Sequence, residues 1–436
     1  MDSAGSVHVI SKELIKPSSP TPDHLKTVKL SVLDQLTPPV YIALIFFYEA
    51  DELKGLTSST DQAQICHHLK QSLSKTLTLF YPLAGKIDPE NFTVCCDDYG
   101  VEFVEARVRA RLRDVVHEAK LEEFYKYLPV NRLRGVHVGE GTIFTVQINF
   151  FDCGGVAVAA CVSHIVADGS SLVDFMNAWA ATCRGENPKT APDFGVLAGY
   201  FPARDLADSN FTPSLVLGNA KLVTKRLVFD KEKLAALKQA AATGDVRDPT
   251  RVEAVSAFIL KHFIETNPQD AKKSLLAGHM VNIRSRANPP LENTFCNGCV
   301  TTIAELSHQH RLPARELHEL VSKLRKAIRS IDDEYIREME REDRYLTDLG
   351  RVCDLISEGE ADAFAFSSWC RFPMYEVDFG WGKPVWACTT ALLVNNVAIL
   401  MSTRDGNGIE AWINLLPDHV ESLETQFKLI GSKNLG

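Results

Sequence analysis

No run of Lys or Arg longer than a few residues occurs in this chain, which carries 47 basic against 56 acidic residues and a formal net charge of −9. Phosphate backbones need a concentrated basic face, so nucleic acid is excluded as a partner. A small anionic substrate stays compatible if basic side chains gather locally. The opening MDSAGSVHVISKEL has no charged stretch followed by an apolar one, so no secretory signal is expected. The longest apolar run near the N-terminus, VYIALIFFY at 40–48, holds nine residues, whereas crossing a bilayer takes about 20. It reads as a core strand of a soluble protein. The eleven cysteines follow no repeating framework, which predicts reduced thiols and a cytoplasmic setting. Cys296 and Cys299 form one CxxC with no second pair nearby. A structural zinc needs four ligands, so no metal is expected.

Several catalytic signatures are missing too. No GxSxG occurs, which removes the nucleophile elbow of a serine hydrolase. The DFG at 378–380 has no glycine-rich loop, VAIK-type lysine or HRD to make it belong to a kinase. The close pair His67-His68, which could suggest metal ligands, falls inside a predicted helix. Low-complexity blocks and internal repeats are absent as well.

What is there is an ordinary globular composition, 45% hydrophobic and 24% charged, on 436 residues. That length predicts two domains of roughly 200 residues. Strands are expected at Val7–Ile15, at 101–108 (VEFVEARV, alternating) and as a pair within 143–164 joined by a turn at Asp152–Gly155. A helix over 61–79 stacks Ile65, Leu69, Leu73 and Leu77 on one face, with Asp61 in the N-cap place. A second runs from Ser170 to Cys183 and buries Leu172, Phe175, Met176 and Trp179. Proline and lost periodicity over 184–220 read as a crossing segment. Beyond it come a strand (Leu222–Phe229), helices (Lys231–Ala242 and Arg251–Thr266), a strand (Gly278–Ile283) and a charged helical stretch over 313–342. Strands near Phe364–Trp369, Trp386–Leu393 and Val397–Thr403 and a last helix from Asp418 complete the chain.

Two short strings stand out: HIVADG at 164–169 and DFGWG at 378–382. The first puts His164 at the end of a strand, with Ala159, Ala160 and Ser163 behind it and Gly169 permitting a tight turn. Strand ends in mixed α/β folds are favoured places for ligands and catalysis. An imidazole there can take a proton from a hydroxyl at neutral pH, although a lone histidine beside an apolar strand also serves as a satisfied structural residue. In the second string, Gly380 and Gly382 suit backbone conformations that other residues resist, and Trp381 needs a packing slot.

Together with LSVLDQL, FYPLAGKI, VNIRSR, SSWCRFP and EAWINL in this order, these strings resemble the BAHD family of plant acyl-CoA-dependent acyltransferases along essentially the whole chain. SKELIKPSSPTP and NIRSRANPP look most like its branch of alkaloid acetyltransferases. The resemblance implies an α/β fold of two similar-sized domains, with mixed β-sheets flanked by helices as in chloramphenicol acetyltransferase. It places the N-terminal domain at 1–190, a crossover at 191–220, the C-terminal domain with DFGWG at 221–436, and an active-site channel at the domain interface. It implies acyl-CoA, acetyl-CoA first, as co-substrate, a small-molecule alcohol as acceptor, no resident cofactor, no membrane span and a monomer. N-acylation, a malonyl or longer donor, and a catalytically silent binding relative are the alternatives.

For individual residues, the resemblance makes His164 the general base and Asp168 a scaffold residue paired with Arg284. Gly169, Gly380, Trp381 and Gly382 support the site. Asp378 is open between a catalytic and a structural role. Thr250, Ser367, Ser368 and Trp369 are implied to line the CoA site. Two departures bear on loop shape: Cys296 stands where glycine is common before Asn297, and Lys86 follows PLAG in place of arginine.

Overall fold

The computed structural model describes residues 5–50, 59–129, 142–187, 191–206, 222–243, 246–266, 273–306 and 316–431. Two compact units emerge, and neither is a continuous piece of chain. The first takes Met1–Arg204, Asn293–Gly298 and Phe372–Ala391; the second takes Asp205–Glu292, Cys299–Arg371 and Leu392–Gly436. The α/β architecture of mixed sheets and helices matches the expectation. Of the expected crossover, residues 207–220 lie outside the described residues.

The first unit is built on a six-stranded sheet in the order Val7–Ile15, Val101–Val108, Phe144–Phe151, Val156–Ser163, Tyr41–Tyr48 and Trp386–Cys388. Pairing is parallel between the second and third of these and antiparallel elsewhere. Phe144–Phe151 and Val156–Ser163 are buried at every position. That explains why they read as continuous apolar runs: both faces are covered. The Gly169–Cys183 helix buries Leu172, Phe175, Met176 and Trp179 as expected. Trp179 also reaches the Ser59–Leu79 helix, donating its Nε1–H to Leu69 O (3.2 Å) and Ser72 Oγ (3.0 Å). That helix buries Ile65, Leu69, Leu73 and Leu77. It starts two residues before Asp61, which therefore sits in the first turn rather than at the cap.

Strand Trp386–Cys388 is shorter than the expected Trp386–Leu393, and it corrects the domain division. It pairs antiparallel with Tyr41–Tyr48, and Tyr48 donates its hydroxyl to Val377 O at 2.8 Å. The segment carrying DFGWG therefore packs in the first unit, not with the C-terminal half of the chain. Ladder hydrogen bonds decide sheet membership, and sequence position does not.

The second unit has its own six-stranded sheet: Cys299–Leu306, Ser274–Asn282, Ala361–Ser368, Val397–Ser402, Ile409–Leu415 and Val223–Phe229. Helices Lys231–Ala241, Arg251–Thr266, Leu317–Ser330 and Pro417–Leu429 share its core through Leu237, Val255, Leu260, Leu320 and Leu423 among others, and Arg251–Thr266 is buried on nearly every side. The charged stretch expected over 313–342 is two helices, because Asp332 caps the second (Asp333–Glu342) by accepting from Tyr335 N at 3.0 Å. Residues 313–315 of that stretch lie outside the described residues. The following helix, Arg344–Ser357, was not expected.

Among the ion pairs of this unit, that of Glu253 with Arg325 is largely buried. Glu253 caps its own helix with Thr250, accepting from Thr250 N at 2.8 Å while Thr250 Oγ accepts from Glu253 N at 3.2 Å. Arg325 of the neighbouring helix grips the same carboxylate through Nε (2.9 Å) and Nη2 (2.6 Å). Removing one member of such a pair strands the other charge. Glu253→Ala should therefore cost about 3–5 kcal/mol, read as a lowered urea midpoint. A change under about 1 kcal/mol, the scale of an exposed pair, would contradict this.

Candidate active site

Strand Val156–Ser163 ends where its hydrogen bonding changes. Ser163 N still donates to Ile143 O (2.8 Å) and His164 N to Val40 O (2.9 Å), but Val166 N and Ala167 N turn back to Ser163 O (3.0 and 3.2 Å). Asp168 then takes an extended backbone, with φ −87° and ψ 177°, and caps the Gly169–Cys183 helix by accepting from Ser171 N at 2.9 Å. This is the local reason for the HxxxD spacing: a strand end, one turn and a helix cap. It leaves His164 half-buried at the strand tip.

The residues that complete the site come from far along the chain. Segment 293–298 leaves the second unit's fold and packs in the first. Phe295 packs edge-on to Phe80 and tilted against Phe194, with ring centroids at 5.6 and 5.5 Å. Asp193 N donates to Asn293 O (3.0 Å), and Phe295 N to Asp193 O (2.9 Å). At the other end Asp168 Oδ2 accepts from Gly298 N (3.0 Å), Asp168 N donates to Cys296 O (3.1 Å), and Ser171 Oγ bonds both Cys296 O (3.0 Å) and Cys296 N (3.1 Å). Asp168 is thus a bridge between the helix cap and this segment.

The segment presents Asn297, which is buried to 2% exposure. Its Oδ1 lies 3.0 Å from His164 Nδ1. Its Nδ2 donates to His164 O (2.7 Å) and Asp34 Oδ1 (2.8 Å), and its main-chain N–H also meets Asp34 Oδ1 (3.2 Å). Asp34 lies in a capping box at the start of the short Val32–Gln35 helix, where its Oδ2 accepts from Ser31 N and Ser31 Oγ, each at 2.7 Å. Burial pushes the Asp34 carboxyl up, while its hydrogen bonds with Ser31 and Asn297 pull it back down. Burial holds His164 below the ordinary imidazole value, opposed by the Asp168 charge and the Asn297 hydrogen bond. A neutral imidazole with Nδ1 occupied leaves Nε2 to act as a base.

The carboxylate of Asp378 is taken up locally. Its Oδ1 accepts from Gly380 N (2.8 Å) and Gly382 N (2.9 Å), and Arg184 Nη1 donates to Asp378 O. Gly380 and Gly382 sit at φ 106° and 111°, which other residues resist. Phe379 and Trp381 fill a cluster with Tyr48 and Trp179 (Tyr48–Trp381 5.9 Å, Trp179–Phe379 4.9 Å). This geometry makes DFGWG a folded turn that anchors strand Trp386–Cys388.

The other expected site residues lie in the second unit. Thr250 is the cap described above. Ser367 and Ser368 end strand Ala361–Ser368, and Trp369 donates Nε1–H to Ser367 Oγ at 3.1 Å and its main-chain N–H to Leu400 O at 2.7 Å. Arg284 N donates to Asn282 Oδ1 at 3.0 Å. Among the described residues no group of three or more His, Cys, Asp or Glu could hold a metal. Lys86, the second departure, lies 3.7 Å over the Tyr99 ring.

Sequence reasoning missed Asn297, Asp34 and Ser31. The S-x-x-D spacing of Ser31 and Asp34 is a legible capping box, but nothing local joins it to Asn297.

The model of the Transferase family matches residues 5–430. Stemmadenine O-acetyltransferase of Catharanthus roseus is 39% identical, and vinorine synthase of Rauvolfia serpentina 40%, each over 97% of both chains. The crystal structure of vinorine synthase superposes with a TM-score of 0.82 at 37% identity, covering 98% of each chain. The structure of F. sporotrichioides TRI101 complexed with coenzyme A and T-2, 17% identical with a TM-score of 0.73 over 93% of this chain and 98% of its own, shares the fold.

If Asp378 holds the turn, Asp378→Ala should take the acceptor away from two N–H groups and cost about 1–3 kcal/mol, at about 0.5–1.5 for each hydrogen bond. Asp378→Asn, which keeps an Oδ1 acceptor, should melt close to wild type. Equal loss of melting temperature in both variants would argue against the turn-holding role.

Proposed function

The chain belongs to the Transferase family of BAHD acyltransferases, and on that footing we propose that it is an acyl-CoA-dependent O-acetyltransferase acting on a hydroxyl of a plant specialised metabolite. The observation that carries the reading is the His164–Asn297 contact, which commits Nδ1 and leaves Nε2 as a base at the tip of a buried strand. The relatives' names support acetyl transfer and an alkaloid or terpenoid alcohol as acceptor.

In this mechanism His164 Nε2 removes the acceptor hydroxyl proton as the oxygen attacks the thioester carbonyl carbon. The tetrahedral adduct collapses with cleavage of the C–S bond, and the imidazolium returns the proton to the departing CoA sulfur. A thioester is already activated, so positioning and one base suffice, with no covalent acyl-enzyme. Asp168 holds the Asn297 segment in place, and Asp378 holds the DFGWG turn. In the second unit Thr250, Ser367, Ser368 and Trp369 are the residues we assign to acyl-CoA binding. The same reading has the enzyme work as a cytoplasmic monomer without a resident cofactor, in keeping with buried free thiols such as Cys66, Cys161 and Cys183.

Incubation with a panel of acyl-CoAs and alcohols, followed by CoA release, tests the reading. Acetyl-CoA with an alkaloid or terpenoid alcohol should give the highest rate, and no release with any pair would instead mark a silent binding relative. His164→Ala should lower kcat by at least about 10²-fold with acetyl-CoA affinity nearly unchanged; near wild-type turnover would sink the base assignment.

The pH dependence follows from the direction of the His164 shift. Its folded value lies below the ordinary 6.5, so the base stays unprotonated at neutral pH. The acidic limb of kcat/KM should therefore have its midpoint below 6.5, with activity lost as pH falls through it. A midpoint above about 7 would mean that a different group is titrating.

A further inference from the structure

We infer that Asp34 is a positioning residue for His164, acting through the side chain of Asn297. The inference rests on the reading of His164 as base and adds what sets its tautomer.

An asparagine side chain has one accepting end and one donating end, and the end that faces a histidine decides which ring nitrogen carries the proton. At Asn297 the donating end has two partners, Asp34 Oδ1 at 2.8 Å and the main-chain oxygen of His164 at 2.7 Å. The carbonyl can only accept, and so can an ionised carboxylate. The amide group is therefore held with its NH2 toward them and its oxygen toward His164 Nδ1, at 3.0 Å. An oxygen there requires Nδ1–H, which leaves the lone pair on Nε2. A flipped amide would present N–H to Nδ1, move the ring proton to Nε2 and leave no base where the mechanism needs one.

Asp34 does more than supply one of two acceptors. The same Oδ1 takes the main-chain N–H of Asn297 at 3.2 Å, so it fixes the residue's backbone as well as its side chain. Its other oxygen takes Ser31 N and Ser31 Oγ at 2.7 Å each. Ser31 N, Asn297 N and Asn297 Nδ2 are donors only, and they approach the carboxylate from both oxygens. An amide in its place must turn its own NH2 toward Ser31 N–H or toward Asn297, so one donor pair always clashes. The arrangement is read by a carboxylate and by no neutral side chain of the same shape. At 3% exposure this group has no solvent to fall back on. It contacts neither the imidazole nor, in the proposed mechanism, any reacting atom, so its role is to orient.

The decisive measurement is the ring-nitrogen spectrum of the full-length protein with 15N-labelled histidine, with the His164 signals assigned by their loss in His164→Gln. Wild type should show the Nδ1–H tautomer, and Asp34→Asn should transfer population to Nε2–H. An Nε2–H tautomer in wild type would overturn the inference without recourse to any variant, so a failure of Asp34→Asn to fold does not shelter it. In turnover with acetyl-CoA and the best alcohol of the panel, Asp34→Asn should lower kcat about 10- to 100-fold, the scale of a misplaced catalytic group, with KM for acetyl-CoA unchanged.

Asn297→Ala should lose a similar factor. Adding Asp34→Asn to it should cost little more, because the two act in series. A full further loss in the double variant would show that Asp34 acts on the fold and not through Asn297, and so would defeat the inference. If His164→Ala kept its activity while the tautomer shifted as stated, the base assignment would fall and the positioning role would stand.

Discussion

The buried carboxylate of Asp168 accepts from two main-chain N–H groups, one three residues along at Ser171 and one 130 residues along at Gly298. Once a carboxylate is 5% exposed, leaving it without donors is costly, so both must be in place together. One satisfies the helix cap and the other seats the Asn297 segment beside the strand that ends at His164. The proposed base, the residue that orients it and the start of the Gly169–Cys183 helix are thereby set by one group. The HxxxD spacing has its physical meaning here: His164 ends the strand, and Asp168, one turn later, caps the helix and holds Gly298 N–H.

Polar satisfaction, more than apolar packing, locates the site. The apolar contacts around it are generic: the phenylalanine cluster of Phe80, Phe194 and Phe295 would tolerate other large side chains, since cores accept volume-conserving exchange. The hydrogen-bonded set of Asp34, Asn297, Asp168, Ser171 and Cys296 has no such freedom, because every donor in it faces a group of the opposite kind. The same logic governs DFGWG. The Asp378 carboxylate closes a turn that only glycine can shape at 380 and 382, and the aromatic residues Phe379 and Trp381 pack against Trp179 and Tyr48.

Cys296, a departure from the family's common glycine, takes part in the structure mainly through its backbone. Its carbonyl accepts from Asp168 N and Ser171 Oγ, and its N–H meets Ser171 Oγ. Any residue but proline supplies those groups. The side chain is buried beside Thr294 O.

Local periodicity was enough to find most elements of this protein. Strand Val101–Val108, helix Arg251–Thr266 and the strand pair leading into His164 follow from alternation, helical spacing and turn residues, signals carried by neighbouring side chains. The strings HIVADG and DFGWG were legible because each is compact, and the family resemblance supplied the roles expected of His164, Asp168 and Asp378. Asn297 and Asp34 were not. Their meaning depends on a contact between positions 263 residues apart, and no periodicity spans such a distance. For the same reason the placement of strand Trp386–Cys388 in the first sheet escaped the linear reading: a three-residue strand is defined by the ladder it joins. Spacing in the chain determined which residues can act as base, cap and turn. Only the tertiary fold decided which of them meet, because hydrogen-bond partners are chosen by proximity in space after the chain has closed.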